Sequence, residues 1–365
     1  MSAAMNGDRR RLTPSSTIIY VAGAAGLLFL AAMNFTGGGT SLGREMTAAA
    51  RLMARAEAAV RECRSATGLR PDAAADPNAT GLIGLETSPI TTSLGDPAAK
   101  RTTTNPDFAA LVVRLLDETG VRRGDAFAVG ASSSFPALVI ATLAAARAMG
   151  ADPLVISSLG ASEWGANDPA FTWLDMAECL SRAAGPLDVR PVALAVGGEE
   201  DIGRNMEPAG RALLIDRIGA SGLPFVDEAG LAANVAERLR LYAGAAGGRP
   251  LRAFVNIGGS SANIGTNAEV LKLRPGLVRE VFIPPPAERG VLQEMAARRV
   301  PVIHLLNVRG LCRRYGLPWD PRPLPPPGAA GLYRRAAVRG RAAAWPSAVY
   351  VLLVAAFLAS RKRSP

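Results

Sequence analysis

The stretch Asp125–Gly150, DAFAVGASSSFPALVIATLAAARAMG, runs from a short apolar segment through Ser132, Ser133 and Ser134 straight into an alanine-rich helix. A strand, a tight turn of small residues and a helix form the repeating unit of an α/β fold. The same alternation extends on both sides. Apolar runs at Leu82–Thr87, Ala126–Gly130, Leu154–Ser158, Val192–Val196, Leu251–Ile257 and Val300–Leu306 are separated by longer helical segments. Strands of this length between helices predict a doubly wound, mostly parallel sheet. Asn105-Pro106 and Asp168-Pro169 each set a capping side chain before a proline, which predicts a helix start at both places.

In a parallel sheet the segments that follow the strands emerge at one edge, where open α/β proteins hold their ligands. Here those segments are polar and rich in glycine: ETSPITTSLGDPAAKRTTTNP, the serine turn, SSLGASEWGANDP, GGEEDIGRNMEP, GGSSANIGTN and HLLNVRG. They predict one composite site. Within it Asp168 reads as a helix cap, Trp173 as core, and Glu199, Glu200, Asp201 and Arg204 as a surface ion cluster.

Three chemistries fit that edge. Gly130-x-Ser132-x-Ser134 approaches the G-x-S-x-G elbow without its second glycine, and His304 is the only histidine available as a base. A serine–lysine pair is the second option, with Lys100 on the correct edge. The third is anion binding by backbone N–H groups at helix starts, drawing on Ser132, Ser133, Ser134, Gly259, Ser260 and Ser261 with Lys100 and Arg101 as counter-charges. No G-K-[ST] or G-x-G-x-x-G is present, so nucleotide binding has no motif behind it, and no cofactor is identified. Cys63, Cys179 and Cys312 are too widely spaced to read as a disulfide framework, and with one histidine no metal site is expected.

The formal charge of +10 sits at the ends. Removing Arg9–Arg11, Arg361–Arg363 and Arg334, Arg335, Arg339 and Arg341 leaves 31 basic residues against 30 acidic ones in the body. The body carries no basic stripe with interleaved aromatics, so a nucleic-acid partner is not expected. The clusters flank two uncharged runs, Thr17–Met33 and Trp345–Ser360, each close to the length that spans a bilayer. The first, with its Arg-rich start but no A-x-A site, reads as an uncleaved anchor in preference to a cleaved signal peptide. The resulting organisation is a cytoplasmic tail (1–16), a transmembrane helix (17–36), a juxtamembrane helix and linker (37–80), an extracytoplasmic α/β domain (81–330), a basic linker (331–343), a second transmembrane helix (344–360) and a cytoplasmic tail (361–365). The positive-inside rule places both tails in the cytoplasm and makes this a two-pass protein of the cell membrane.

Four segments also carry a resemblance: GLIGLETSPITTSLGDPAAKRTTTNPDFAALVVRLL, GASSSFPALVIATLAAARAMGADPLVISSLGASEWGANDPAFTWLDM, GGEEDIGRNMEPAG and VNIGGSSANIGTN. In this order, across roughly residues 80 to 320, the chain resembles the poly-γ-glutamate system proteins that accompany capsule-type poly-γ-glutamate synthesis. A glycine is commoner in that family where Ser133 stands. The resemblance implies terminal membrane segments and a pathway, and brings no catalytic residue with it. Its implied partners are poly-γ-glutamate or glutamate oligomers, the membrane components of the synthase or exporter, and the lipid bilayer. Two roles follow as expectations: an accessory protein that binds the polyanionic polymer at the sheet edge, or a serine-dependent hydrolase or transferase acting on it.

Overall fold

A computed structural model describes residues 23–24, 26, 41–70, 72–182, 187 and 190–333. The two apolar runs expected to span a membrane lie almost wholly outside these residues. No helix among the described residues is long and apolar enough to cross one.

Arg44–Tyr333 form a compact unit. Its centre is a six-stranded sheet of order β5-β2-β1-β6-β8-β7, built from β1 (Ala126–Ser132), β2 (Asp152–Ser158), β5 (Ala193–Ala195), β6 (Leu251–Ile257), β7 (Gly276–Val278) and β8 (Val302–Leu305). The first five in that order run parallel, and β7 closes one edge antiparallel to β8. The chain leaves β1 toward β2 and β5, then returns through β6 toward β8. The strand order therefore reverses between β1 and β6, the place where open α/β sheets carry their ligand crevice.

Local sequence explains these elements. β1 is buried along its whole length, so it reads as a near-continuous apolar run, as a strand covered on both faces must. On one face Ala126, Ala128, Leu154, Ile156 and Phe254 pack with Val235 and Tyr242 of the helix Leu231–Ala246 and with Val291, Leu292 and Met295 of Val291–Ala297. The serine turn leads into Pro136–Met149, whose proline at the first helical position suits an N-terminus and whose Gly150 ends it at φ 67°. A helix does start at Asn105-Pro106, as Asp107–Thr119, with Pro106 rather than Asn105 at the cap position and Asn105 Oδ1 accepting from the Asp107 amide at 3.0 Å.

Ser41–Ala66, expected as a juxtamembrane helix, buries Met46, Ala49, Ala50, Met53, Ala56, Glu57, Val60 and Arg64, one stripe at helical spacing. Arg64 donates to the carbonyls of Gly81 and Ile83 and pairs with Asp168 at 3.1 Å. Cys63 is disulfide-bonded to Cys179 of Trp173–Arg182, a link that the cysteine spacing did not reveal. Cys312 is free and buried.

Two expected elements differ. Leu82–Thr87 forms no strand. It lies against residues 164–167 through Trp164 N to Leu85 O at 2.7 Å and the Asn167 side chain, with Gly84 so close that a Cβ there would sit 2.0 Å from the Gly165 carbonyl. Asp168-Pro169 starts no helix either. It turns a two-stranded hairpin of β3 (Asn167–Asp168) and β4 (Phe171–Thr172), because Asp168 Oδ1 is taken by the Ala170 amide while Asp175 accepts from Thr172 N. Trp173 is core, as expected.

Candidate functional site

The segments after the parallel strands enclose a cleft of about 630 Å³. Its walls include Ser132 at the end of β1 and Ser134 in the turn after it, Ser158 at the end of β2 with Gly160 and Ser162 beyond it, Gly197–Glu200 after β5, Gly259–Ser261 after β6, and Thr92–Asp96 with Ala99 and Lys100. The convergence read from the sequence is present, though its members divide differently.

Lys100 is the centre of it. The seven-residue helix Pro97–Thr103 is capped by Asp96, whose carboxylate accepts from the Ala98 and Ala99 amides. From this helix Lys100 buries its stem and brings Nζ to 2.7 Å from Ser162 Oγ, 2.5 Å from the Ser134 carbonyl and 3.9 Å from the centre of the Phe135 ring. Loss of hydration pushes the amine down to about 7, against Asp96 and Glu163, which act to raise it. Burial thus favours the unprotonated amine beside the serine hydroxyl. The hydroxyls continue beyond it: Ser162 N donates to Ser134 Oγ at 2.9 Å, and Ser132 Oγ donates to Ser134 Oγ at 3.0 Å.

Ser162 was not singled out in the sequence, although its segment was. Nothing in the sequence marks which hydroxyl meets the lysine. That contact depends on Gly165, which approaches the serine turn so closely that a Cβ would lie 2.8 Å from Ser134 Cα. The Ala166 amide donates to Ser133 O nearby, at 2.9 Å.

The serine turn itself has few donors to offer an anion. The Ser133 amide bonds Ser158 O, the Ser134 amide bonds Ser132 Oγ, and the Phe135 amide bonds Ser132 O. Pro136 has no N–H. Ser133 also spends its hydroxyl on Ser158 O at 2.8 Å and does not line the cleft. Arg101 is likewise outside the lining, because Asp320 holds it through two bonds of 2.8 Å. Across the cleft, the amides of Gly259, Ser260 and Ser261 have no intramolecular partner among the described residues.

His304 is placed away from this network. It sits inside β8 opposite Asn256, which shares a 3.0 Å bond with its Nδ1, and burial pulls the imidazole down to about 4. It is neutral at pH 7, and no hydrogen bond ties it to a serine among the described residues.

The acidic loop splits in two. Glu200 and Arg204 form the surface pair that was expected. Asp201 departs from it: a left-handed backbone at Glu200 and Asp201 (φ 52° and 65°) turns into the body, where the fully buried carboxylate pairs with Arg238. It also accepts from Ser158 Oγ at 2.6 Å and Ser260 Oγ at 3.2 Å, joining two cleft walls from below. The lining thus carries Asp96, Glu199 and Glu200 against Lys100 alone. No group of three or more potential metal ligands occurs among the described residues. No family model matches the chain, and neither does any curated protein or any solved structure.

Proposed function

We propose that the protein is a membrane-anchored acyl-transfer enzyme of the serine–lysine kind, a hydrolase or transferase, acting on an amide-linked polymer outside the membrane. The observation that carries this reading is the Lys100 Nζ to Ser162 Oγ contact of 2.7 Å inside a cleft, with an amine that titrates at about 7. A nucleophilic serine needs a neighbouring base, and a lysine serves once desolvation has lowered its pKa toward the working pH.

In this reading the neutral Lys100 amine takes the Ser162 hydroxyl proton as Oγ bonds to the amide carbon. The ammonium then gives that proton to the departing nitrogen as the carbon–nitrogen bond breaks. Water or a second amine releases the acyl group from Ser162. The unpartnered amides of Gly259 and Ser260 are the donors available to an oxygen that gains charge.

Poly-γ-glutamate as the substrate rests on the resemblance of the four sequence segments. The acidic lining suits the amine that such a cleavage releases. The Cys63–Cys179 bond supports an extracytoplasmic body, since such bonds persist in oxidising compartments. The test is to incubate the detergent-solubilised full chain with poly-γ-glutamate and follow polymer length and new amine ends. Shortening or transfer that disappears in Ser162→Ala supports the proposal. Polymer bound and left intact by the wild type favours the accessory role instead.

A further inference from the structure

The segment from Pro318 to Tyr333 carries no helix or strand apart from a last turn, yet it is fastened at both ends. Its far end meets Asp107, which accepts from the amides of Gly328 and Ala330 and from the Tyr333 hydroxyl. Its near end meets the helix that bears Lys100. Asp320 holds Arg101 with both carboxylate oxygens, and its own amide donates to Thr102 Oγ1 at 2.8 Å. One residue of this strap therefore grips the two positions that follow Lys100. It is itself secured, by Arg322 at 3.1 Å on Oδ2 and by Asn78, whose amide bonds the Pro321 carbonyl at 3.0 Å.

We infer that Asp320 is a positioning residue for Lys100, setting the depth at which its amine enters the cleft. The inference rests on the reading of Lys100 as the base and adds what holds that base in place. A helix of seven residues does not persist through its own hydrogen bonds, so tertiary ties fix where it lies. On the cleft side Lys100 meets Ser134, Ser162 and Phe135, with Asp96 of its own helix start and Glu163 of the segment beyond β2 as the charges facing it. On the opposite side Asp320 provides most of the ties, beside a longer bond of 3.4 Å from Arg101 to the Ala75 carbonyl. Without them the helix is free to rise, the amine regains water, and its affinity for a proton increases.

The chain has only three lysines, Lys100, Lys272 and Lys362, so the ε-carbon resonances of lysine-labelled full-length protein are few enough to assign. In the wild type Lys100 titrates near 7 and the other two near ~10.4. In Asp320→Ala the Lys100 midpoint rises by about one unit or more, as rehydration of a buried amine requires. Arg101→Met gives the same rise, and the double variant adds nothing further. Asp320→Asn, which suits the left-handed backbone at this position (φ 44°) and retains one acceptor, falls between.

An unmoved Lys100 midpoint in folded Asp320→Ala overturns the inference. If that variant does not fold, an unmoved midpoint in Asp320→Asn overturns it equally. A wild-type midpoint near ~10 defeats the base reading by itself. Asp320's grip is then still judged from whether the Lys100 chemical shift changes in the variants.

Discussion

The Lys100 amine gives up most of its hydration on entering the cleft, and Asp96 and Glu163 offset part of that loss. Its folded pKa of about 7 lies below the unfolded value of ~10.4, so between these the unfolded chain holds a proton that the folded chain has released. Lys100 thus favours the folded state increasingly as pH rises through that window. Measured against Lys100→Met, wild-type stability to urea is expected to gain of order 1 kcal/mol per pH unit. His304 has the same sign in a lower window. Folded at about 4 and unfolded at ~6.5, it removes stability as pH falls between them, by about 3 kcal/mol in full. His304→Gln is expected to flatten the urea midpoint between pH 6.5 and 4, and an unchanged acid slope contradicts the buried neutral imidazole. At this scale the sequence showed Lys100 by its place on the correct edge. It left Ser162 indistinct among many serines and Arg101 indistinct from a free loop charge, because Asp320 lies 219 residues away from Arg101 along the chain.

Among the elements, the parallel strands were the most legible, since each is a buried apolar run between helix signals. β7 was not: three residues after Arg274-Pro275 have too little pattern to read, and only β8 gives them a place. The hairpin of β3 and β4 was hidden because an Asp-Pro pair suits a turn as well as a helix start. Gly84 is where the segment 82–87 crosses residues 164–167, and Gly84→Ala drives a methyl group into the Gly165 carbonyl. That substitution is expected to cost more than about 2 kcal/mol, read as a lower thermal midpoint, because the contact is backbone against backbone. The Cys63–Cys179 bond closes a loop with a sequence separation of 116 residues between two helices. Cys63→Ala with Cys179→Ala is expected to lose about 4 kcal/mol by loop entropy, and an unchanged denaturant midpoint argues against the bond.

Over the whole molecule, charge and chemistry are segregated. The basic excess lies in the terminal segments, and the body holds a cleft whose lining is mainly acidic around one buried amine. Protease added to intact spheroplasts is predicted to digest the body and spare tags on both ends, and a protected body contradicts the two-pass topology. The doubly wound sheet and the convergence of its loops followed from the alternation of apolar and glycine-rich segments. What the cleft does depended on contacts between loops that no single segment encodes. The central claim is that Lys100 activates Ser162, and the rate of fluorophosphonate attachment across pH 5 to 9, with the adduct located by mass spectrometry, tests it most directly. The account predicts an adduct on Ser162 whose rate rises with pH around a midpoint near 7 and falls by about 100-fold or more in Lys100→Met. An adduct on Ser132 or on no serine, or a Ser162 rate indifferent to Lys100, contradicts it.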